Sequence, residues 1–306
     1  MDDSRPDPNT RRGTGSPSLV ERAAEELDRR SQETDRGRPQ TETGRTGFAR
    51  PREPLKRSGD GPSSPAVQVD QNRLKAYGGL TSDQMQSRLA EEMRLIKQGL
   101  IRRMYTGTEG HSNVVQVTSA WPGEGKSFLA VNLALSLATE IDLHVLLVDL
   151  DIHRSTTNEA FGIEPEKGLL DVVQDPTIDL SEVIVRTDIP RFSVIGTGKT
   201  RQLSTELLAS QRMREVTAEL SQRYSDRVIL FDTPPLLGTS EPAVLAQLAG
   251  QVIFVVEADR TTRRAIDQAM EQLPEDTRTS IVLNKSRGLI GGSSLPYYGY
   301  YKSVNK

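Results

Sequence analysis

The run Ala120-Trp121-Pro122-Gly123-Glu124-Gly125-Lys126-Ser127 has the residue types of a loop that wraps phosphate. It matches the pattern glycine, four residues, Gly-Lys-Ser/Thr, with Ala120 in place of the first glycine. Gly123 and Gly125 let backbone N–H groups turn inward on phosphate oxygens without a Cβ clash. An apolar strand, Val114–Thr118, precedes the loop and a helix, Ser127–Thr139, follows it, so the N-terminal end of the helix dipole adds positive charge there. Lys126 is suited to the β- and γ-phosphates of ATP, and Ser127 to Mg²⁺. The candidate nucleotide-contacting residues run from Pro122 through Gly123, Glu124, Gly125, Lys126 and Ser127 to Phe128.

Carboxylates close two other apolar runs. Val145-Leu146-Leu147-Val148 ends in Asp149-Leu150-Asp151, and Val228-Ile229-Leu230-Phe231 ends in Asp232-Thr233-Pro234-Pro235. A buried strand that delivers a carboxylate needs a cation or a donor to meet it, and ligands of α/β sheets bind at those carboxyl ends. Asp149 and Asp232 are therefore candidate Mg²⁺ ligands with Ser127, and Asp151 is left over for proton transfer. Asn284, followed by Lys285 at the end of the last apolar run, is placed to read the adenine base.

The elements that must hold these residues follow a strand–turn–helix rhythm. Aliphatic runs at Val114–Thr118, Val145–Val148, Phe192–Ile195, Val228–Phe231, Val252–Val256 and Ile281–Leu283 alternate with helical stretches such as Leu203–Leu220 and Thr262–Leu273. That pattern predicts a P-loop α/β domain, a mostly parallel sheet with helices on both faces. Met85, Leu89, Met93, Ile96 and Leu100 place a further helix over Ser82–Arg103, and the domain is expected over 82–287. Residues 1–66 are rich in Arg, Pro, Gly, Ser and acids and have too few aliphatic residues to fold, so a disordered arm is expected there. Within it Val20, Ala23, Ala24 and Leu27 share one face of a short amphipathic helix, 18–30. Gly288, Gly291, Gly292, Ser293 and Ser294 open a flexible tail, 288–306, which holds Tyr297, Tyr298, Tyr300 and Tyr301.

Composition excludes other chemistries. The 306 residues contain no cysteine, which removes disulfides, thiolate metal sites and thiol catalysis, and the scattered His111, His144 and His153 make no metal cage. A formal net charge of −3 gives no sign of a nucleic-acid partner. No apolar run reaches the ~18 residues of a membrane span, so a soluble, cytoplasmic protein is expected.

In this order the motifs resemble the bacterial tyrosine kinases, a branch of the MinD/ParA-like P-loop proteins, over about residues 82 to 306. Pro122 to Ser127 match the family loop, Asp149 and Asp151 its Asp-x-Asp element, and Asp232 to Pro235 its Asp-Ser/Thr-Pro-Pro element. Trp121 stands where MinD/ParA ATPases carry a signature lysine, and His153 stands where the kinases carry arginine. Glu91, Arg94 and Lys97 follow the family's self-association motif Glu-x-x-Arg-x-x-Arg, with lysine at its last position. Ser18 to Leu27 look like the start of the exosortase-associated autokinases.

The resemblance implies transfer of the ATP γ-phosphate to the tail tyrosines Tyr297, Tyr298, Tyr300 and Tyr301, with Lys126 and Asp151 as catalytic residues. It also implies a homo-oligomer, a role in exopolysaccharide synthesis or export, and a tyrosine phosphatase as partner. A membrane polysaccharide chain-length determinant (Wzz-like) is the implied partner that recruits the chain to the inner face of the membrane. The alternative is a MinD/ParA-like ATPase switch that phosphorylates no protein.

Overall fold

A computed structural model describes residues 66–106, 113–154, 156–199, 204–224 and 226–286. The arm, the helix expected over 18–30 and the tyrosine tail lie outside the described residues.

The described residues build a seven-stranded sheet. Its strands are β1 (Val114–Ser119), β2 (His144–Asp149), β3 (Val185–Arg186), β4 (Phe192–Ile195), β5 (Arg227–Asp232), β6 (Gln251–Glu257) and β7 (Thr279–Asn284). They stand in the order β3-β4-β2-β5-β1-β6-β7, with every pairing parallel except β3 with β4. Alternation explains why the central strands β1, β2, β5 and β6 are buried along nearly their whole length. Along β5, Val228 and Leu230 enter the core on one face while Ile229 and Phe231 enter the core on the other. The six predicted runs are all present as strands; the two-residue β3 was too short to show a pattern.

Helices cover both faces. In chain order they are α1 (Gln71–Tyr77), α2 (Arg88–Thr106), α3 (Lys126–Leu137), α4 (Thr156–Phe161), α5 (Leu169–Gln174), α6 (Leu180–Val183), α7 (Ser204–Leu208), α8 (Gln211–Arg223), α9 (Glu241–Ala246) and α10 (Arg263–Met270). The helix after the phosphate loop, α3, is buried along almost its whole length because it packs on the sheet beneath and on α2 outside.

Three expectations change. The helix predicted over Ser82–Arg103 starts as a short 3-10 turn, Ser82–Gln84, and becomes α-helical only from Arg88, where the Ser87 hydroxyl accepts the Ala90 N–H at 3.2 Å. The stretch Leu203–Leu220 divides into α7 and α8, because the Ser210 hydroxyl accepts the Met213 N–H at 3.1 Å and starts a new helix. The folded unit also begins before residue 82. Asp70 caps α1, Asp70 N–H donates to Phe161 O at 3.0 Å, and Leu80 N–H donates to the Asn132 side chain at 2.8 Å. This N-terminal strap also buries Val69, Leu74 and Leu80 in the core, but their irregular spacing follows neither the helical nor the strand period, which is why periodicity did not reveal it.

Candidate active site

The phosphate loop leaves the carboxyl end of β1 and enters α3 at Lys126. Gly123 and Gly125 take φ of 86° and 101°, the left-handed region that favours glycine. Gly125 has a second reason to lack a side chain, since a Cβ there would lie 2.0 Å from Asn284 Nδ2.

Because β2 and β5 flank each other in register, with Asp149 opposite Asp232, the two acidic strand ends arrive side by side. Asp149 and Asp232 are fully buried and Asp151 is nearly so. The Lys126 ammonium lies 2.5 Å from Asp151 Oδ2, 3.1 Å from Ser127 Oγ and 3.9 Å from Asp232 Oδ1. Burial alone would lower the Lys126 pKa, but the charges of Asp232 and Asp151 outweigh it and hold the lysine above its ordinary value. Burial pushes Asp232 above the usual carboxylate range, against the opposing pull of Lys126 and of the Thr157 hydroxyl, which donates to Asp232 Oδ2 at 2.7 Å. The loop after β2 is wound about its own acids. Asp149 Oδ1 accepts the Asp151 N–H at 3.1 Å, and Asp151 Oδ1 accepts the N–H groups of His153 at 3.3 Å and Arg154 at 3.1 Å.

Asp232 Oδ1 has no hydrogen-bond partner among the described residues, although it is wholly enclosed. An oxygen left in this way beside Ser127 and Asp149 fits a hard cation such as Mg²⁺, which prefers oxygen ligands. Among the described residues no group of three or more His, Cys, Asp or Glu side chains forms a self-contained metal cage.

The structure thus brings Gly123, Gly125, Lys126, Ser127, Asp149, Asp151 and Asp232 to one end of the sheet. Asn284 joins them in an unexpected way. Its Nδ2 donates to Glu124 O at 2.9 Å and its Oδ1 accepts the Lys285 N–H at 2.9 Å, so the amide expected at the base is engaged with the loop backbone. His153 turns to α9, with Nε2 3.6 Å from Oε1 of the buried Glu241. Sequence reasoning missed Thr157 and Thr261. Both are single hydroxyls brought to the site from distant elements, and no local pattern marks them.

The self-association motif is divided between surface and interior. Arg94 is partly exposed and pairs with Glu91 on its own helix. Lys97 is buried and donates to Ser136 O at 3.1 Å and Thr139 Oγ1 at 3.2 Å, and it pairs with Glu140 at 2.6 Å. Lys97 is therefore committed to the C-terminal end of α3 rather than presented to a neighbour, as the motif had suggested. The reason is helical spacing: three residues beyond Arg94, the lysine falls on the stripe that contains Met93 and Leu100, both in the core.

A family profile described as an AAA domain matches residues 112–282, more than half of the chain. EpsB of Ralstonia nicotianae, which carries the name of a tyrosine-protein kinase, is 33% identical over 183 residues, 60% of this chain and 23% of that protein. The tyrosine-protein kinase YwqD of Bacillus subtilis is 29% identical over 215 residues, 69% of this chain and 86% of that one. The chain thus spans about a quarter of the first curated relatives it matches and most of the shorter Bacillus protein. Among solved structures, the BceF tyrosine kinase domain superposes with a TM-score of 0.56 at 26% identity, covering 71% of this chain and 90% of that one. No helix among the described residues is long and apolar enough to cross a membrane.

Proposed function

Because this chain belongs to the AAA-domain family of P-loop proteins, and within it to the bacterial tyrosine kinases, we propose that it is a protein-tyrosine autokinase. It binds ATP at Pro122–Phe128 and transfers the γ-phosphate to Tyr297, Tyr298, Tyr300 and Tyr301. The observation that carries this reading is the 2.5 Å pair between Lys126 and Asp151, which sets a phosphate-binding cation beside a carboxylate that can take a proton.

The chemistry asked of the chain is positioning and charge neutralisation. Lys126 leaves Asp151 for the β- and γ-phosphates. Asp151 then accepts the phenolic proton, as the tyrosine oxygen forms a bond to the γ-phosphorus and the bond from that phosphorus to the bridging oxygen breaks, releasing ADP. A phenol with a pKa near ~10 needs such a base at neutral pH. Ser127, Asp149 and Asp232 would hold Mg²⁺, which supplies charge neutralisation for the phosphate oxygens when bound. Glu91 and Arg94 contribute to self-association, and exopolysaccharide synthesis or export is the process regulated. A Wzz-like membrane protein recruits the chain to the inner face of the membrane, and a tyrosine phosphatase reverses the modification.

Incubation of the purified chain with Mg·ATP, followed by phosphate mapping by mass spectrometry, tests the reading. Label on the tail tyrosines is the expected result. ATP hydrolysis with no phosphotyrosine would replace it with a nucleotide-switch ATPase.

A further inference from the structure

A phosphate loop that turns its N–H groups inward must turn carbonyls away from the phosphate, and each of those needs a donor. Here both donors come from the end of β7. Lys285 Nζ reaches Gly123 O at 2.7 Å, and Asn284 Nδ2 reaches Glu124 O at 2.9 Å. A third tie runs through the Glu124 side chain, which is 3% exposed. Its Oε2 accepts the Trp121 N–H at 2.9 Å, and its Oε1 accepts the Thr261 hydroxyl. The Thr261 oxygen in turn accepts the Glu257 N–H at 3.1 Å, so its single proton is committed to Glu124.

We propose that Glu124, Thr261, Asn284 and Lys285 form a latch that holds the phosphate loop from behind and positions it for the triphosphate, and that Asn284 and Lys285 serve this loop rather than the base. Three features support a dedicated arrangement. Lys285 adopts φ of 56°, a left-handed conformation that a non-glycine residue keeps only when its surroundings require it. Its ammonium is also paired with Glu257 at 3.2 Å, which ties it to the end of β6 as well as to the loop. Gly125 lacks the side chain that would meet the Asn284 amide. Without the latch, a loop with two left-handed glycines has many other conformations, and binding would have to offset the entropy of selecting one.

The inference rests on nucleotide binding at this loop and not on transfer to tyrosine, so a chain that binds ATP without phosphorylating itself leaves it standing. Calorimetric titration of the full chain with Mg·ATP and with Mg·tripolyphosphate, which has no base, provides the test. Thr261→Val and Asn284→Ala should weaken both ligands by the same factor, about tenfold or more. Thr261→Ser, which retains the hydroxyl, should bind like wild type. If Asn284→Ala weakens ATP and leaves tripolyphosphate unchanged, Asn284 reads the base and the proposal fails. Unchanged affinity for both ligands in Thr261→Val also overturns it. Should thermal melting show that Thr261→Val does not fold, Lys285→Met decides the matter by the same pair of titrations.

Discussion

The Lys126 ammonium and the Asp151 carboxylate form one buried ion pair at 2.5 Å, which joins the group proposed to meet phosphate to the group proposed to take a proton. Each neutralises the other in the resting protein. On the proposed mechanism a triphosphate would compete for the lysine and release the carboxylate to act as a base.

Asp151→Asn should separate binding from transfer. The amide keeps the size of the carboxylate but accepts no proton at neutral pH. Tyrosine phosphorylation should fall by about 10²- to 10⁴-fold, while calorimetry still detects Mg·ATP. Equal loss of both would assign Asp151 to ligand binding.

Lys126→Met should abolish phosphorylation and also destabilise the fold, by about 3 kcal/mol at pH 7, because it leaves buried carboxylates without their cation. The defect should shrink on acidification, as those carboxylates take up protons. In wild type the lysine has a raised pKa, so its stabilisation is complete below its ordinary value of 10.5 and is lost as pH rises through the higher folded value. Denaturant melts from pH 5 to 11 should show that alkaline loss in wild type and not in the variant.

Asp232→Asn should stabilise the ligand-free protein by about 1 kcal/mol at neutral pH, and it should weaken Mg²⁺-dependent nucleotide binding. The folded carboxyl titrates above its ordinary 3.8, so the native state binds more protons than the unfolded chain between those values. Stability therefore falls with rising pH across that window, and the substitution should remove this slope. A variant less stable than wild type at pH 7 would contradict the assignment.

Lys97 and Arg94 should behave differently although they share a motif. Lys97→Met removes bonds to Ser136, Thr139 and Glu140 and should cost about 2 kcal/mol, read by denaturant melts, with little change in self-association. Arg94→Ala should leave stability nearly unchanged and shift light scattering towards smaller species. A Lys97→Met protein of full stability would refute its internal role.

Phosphorylation of Tyr297, Tyr298, Tyr300 and Tyr301 should weaken self-association. Each phosphotyrosine carries about −1.5 to −2 charges, and several within five residues are repelled by the acids of the site. ATP treatment should shift the oligomer downward, and replacing all four tyrosines with phenylalanine should prevent it. If that variant incorporates wild-type levels of phosphotyrosine, the tail is not the acceptor.

The phosphate loop and the acid-ended strands were legible in the chain because their signals are local. A glycine that must take positive φ, a lysine beside it, and an aliphatic run closed by aspartate each lie within a few consecutive residues, Gly123 to Lys126 or Val145 to Asp151. The sheet itself was legible for the same reason, since each strand buried on both faces is a short continuous apolar run. What only the tertiary structure decided was how groups far apart in the chain divide their hydrogen-bonding capacity. Lys97 carries the charge expected of a surface motif, yet its helix phase points it into the end of α3. Asn284 has the amide of a base reader, yet β7 delivers it behind Gly125, where Glu124 O uses that amide. Thr157 and Thr261 have no signature at all, because a hydroxyl acquires its role only when a distant carboxylate, Asp232 or Glu124, is folded within reach of its one proton.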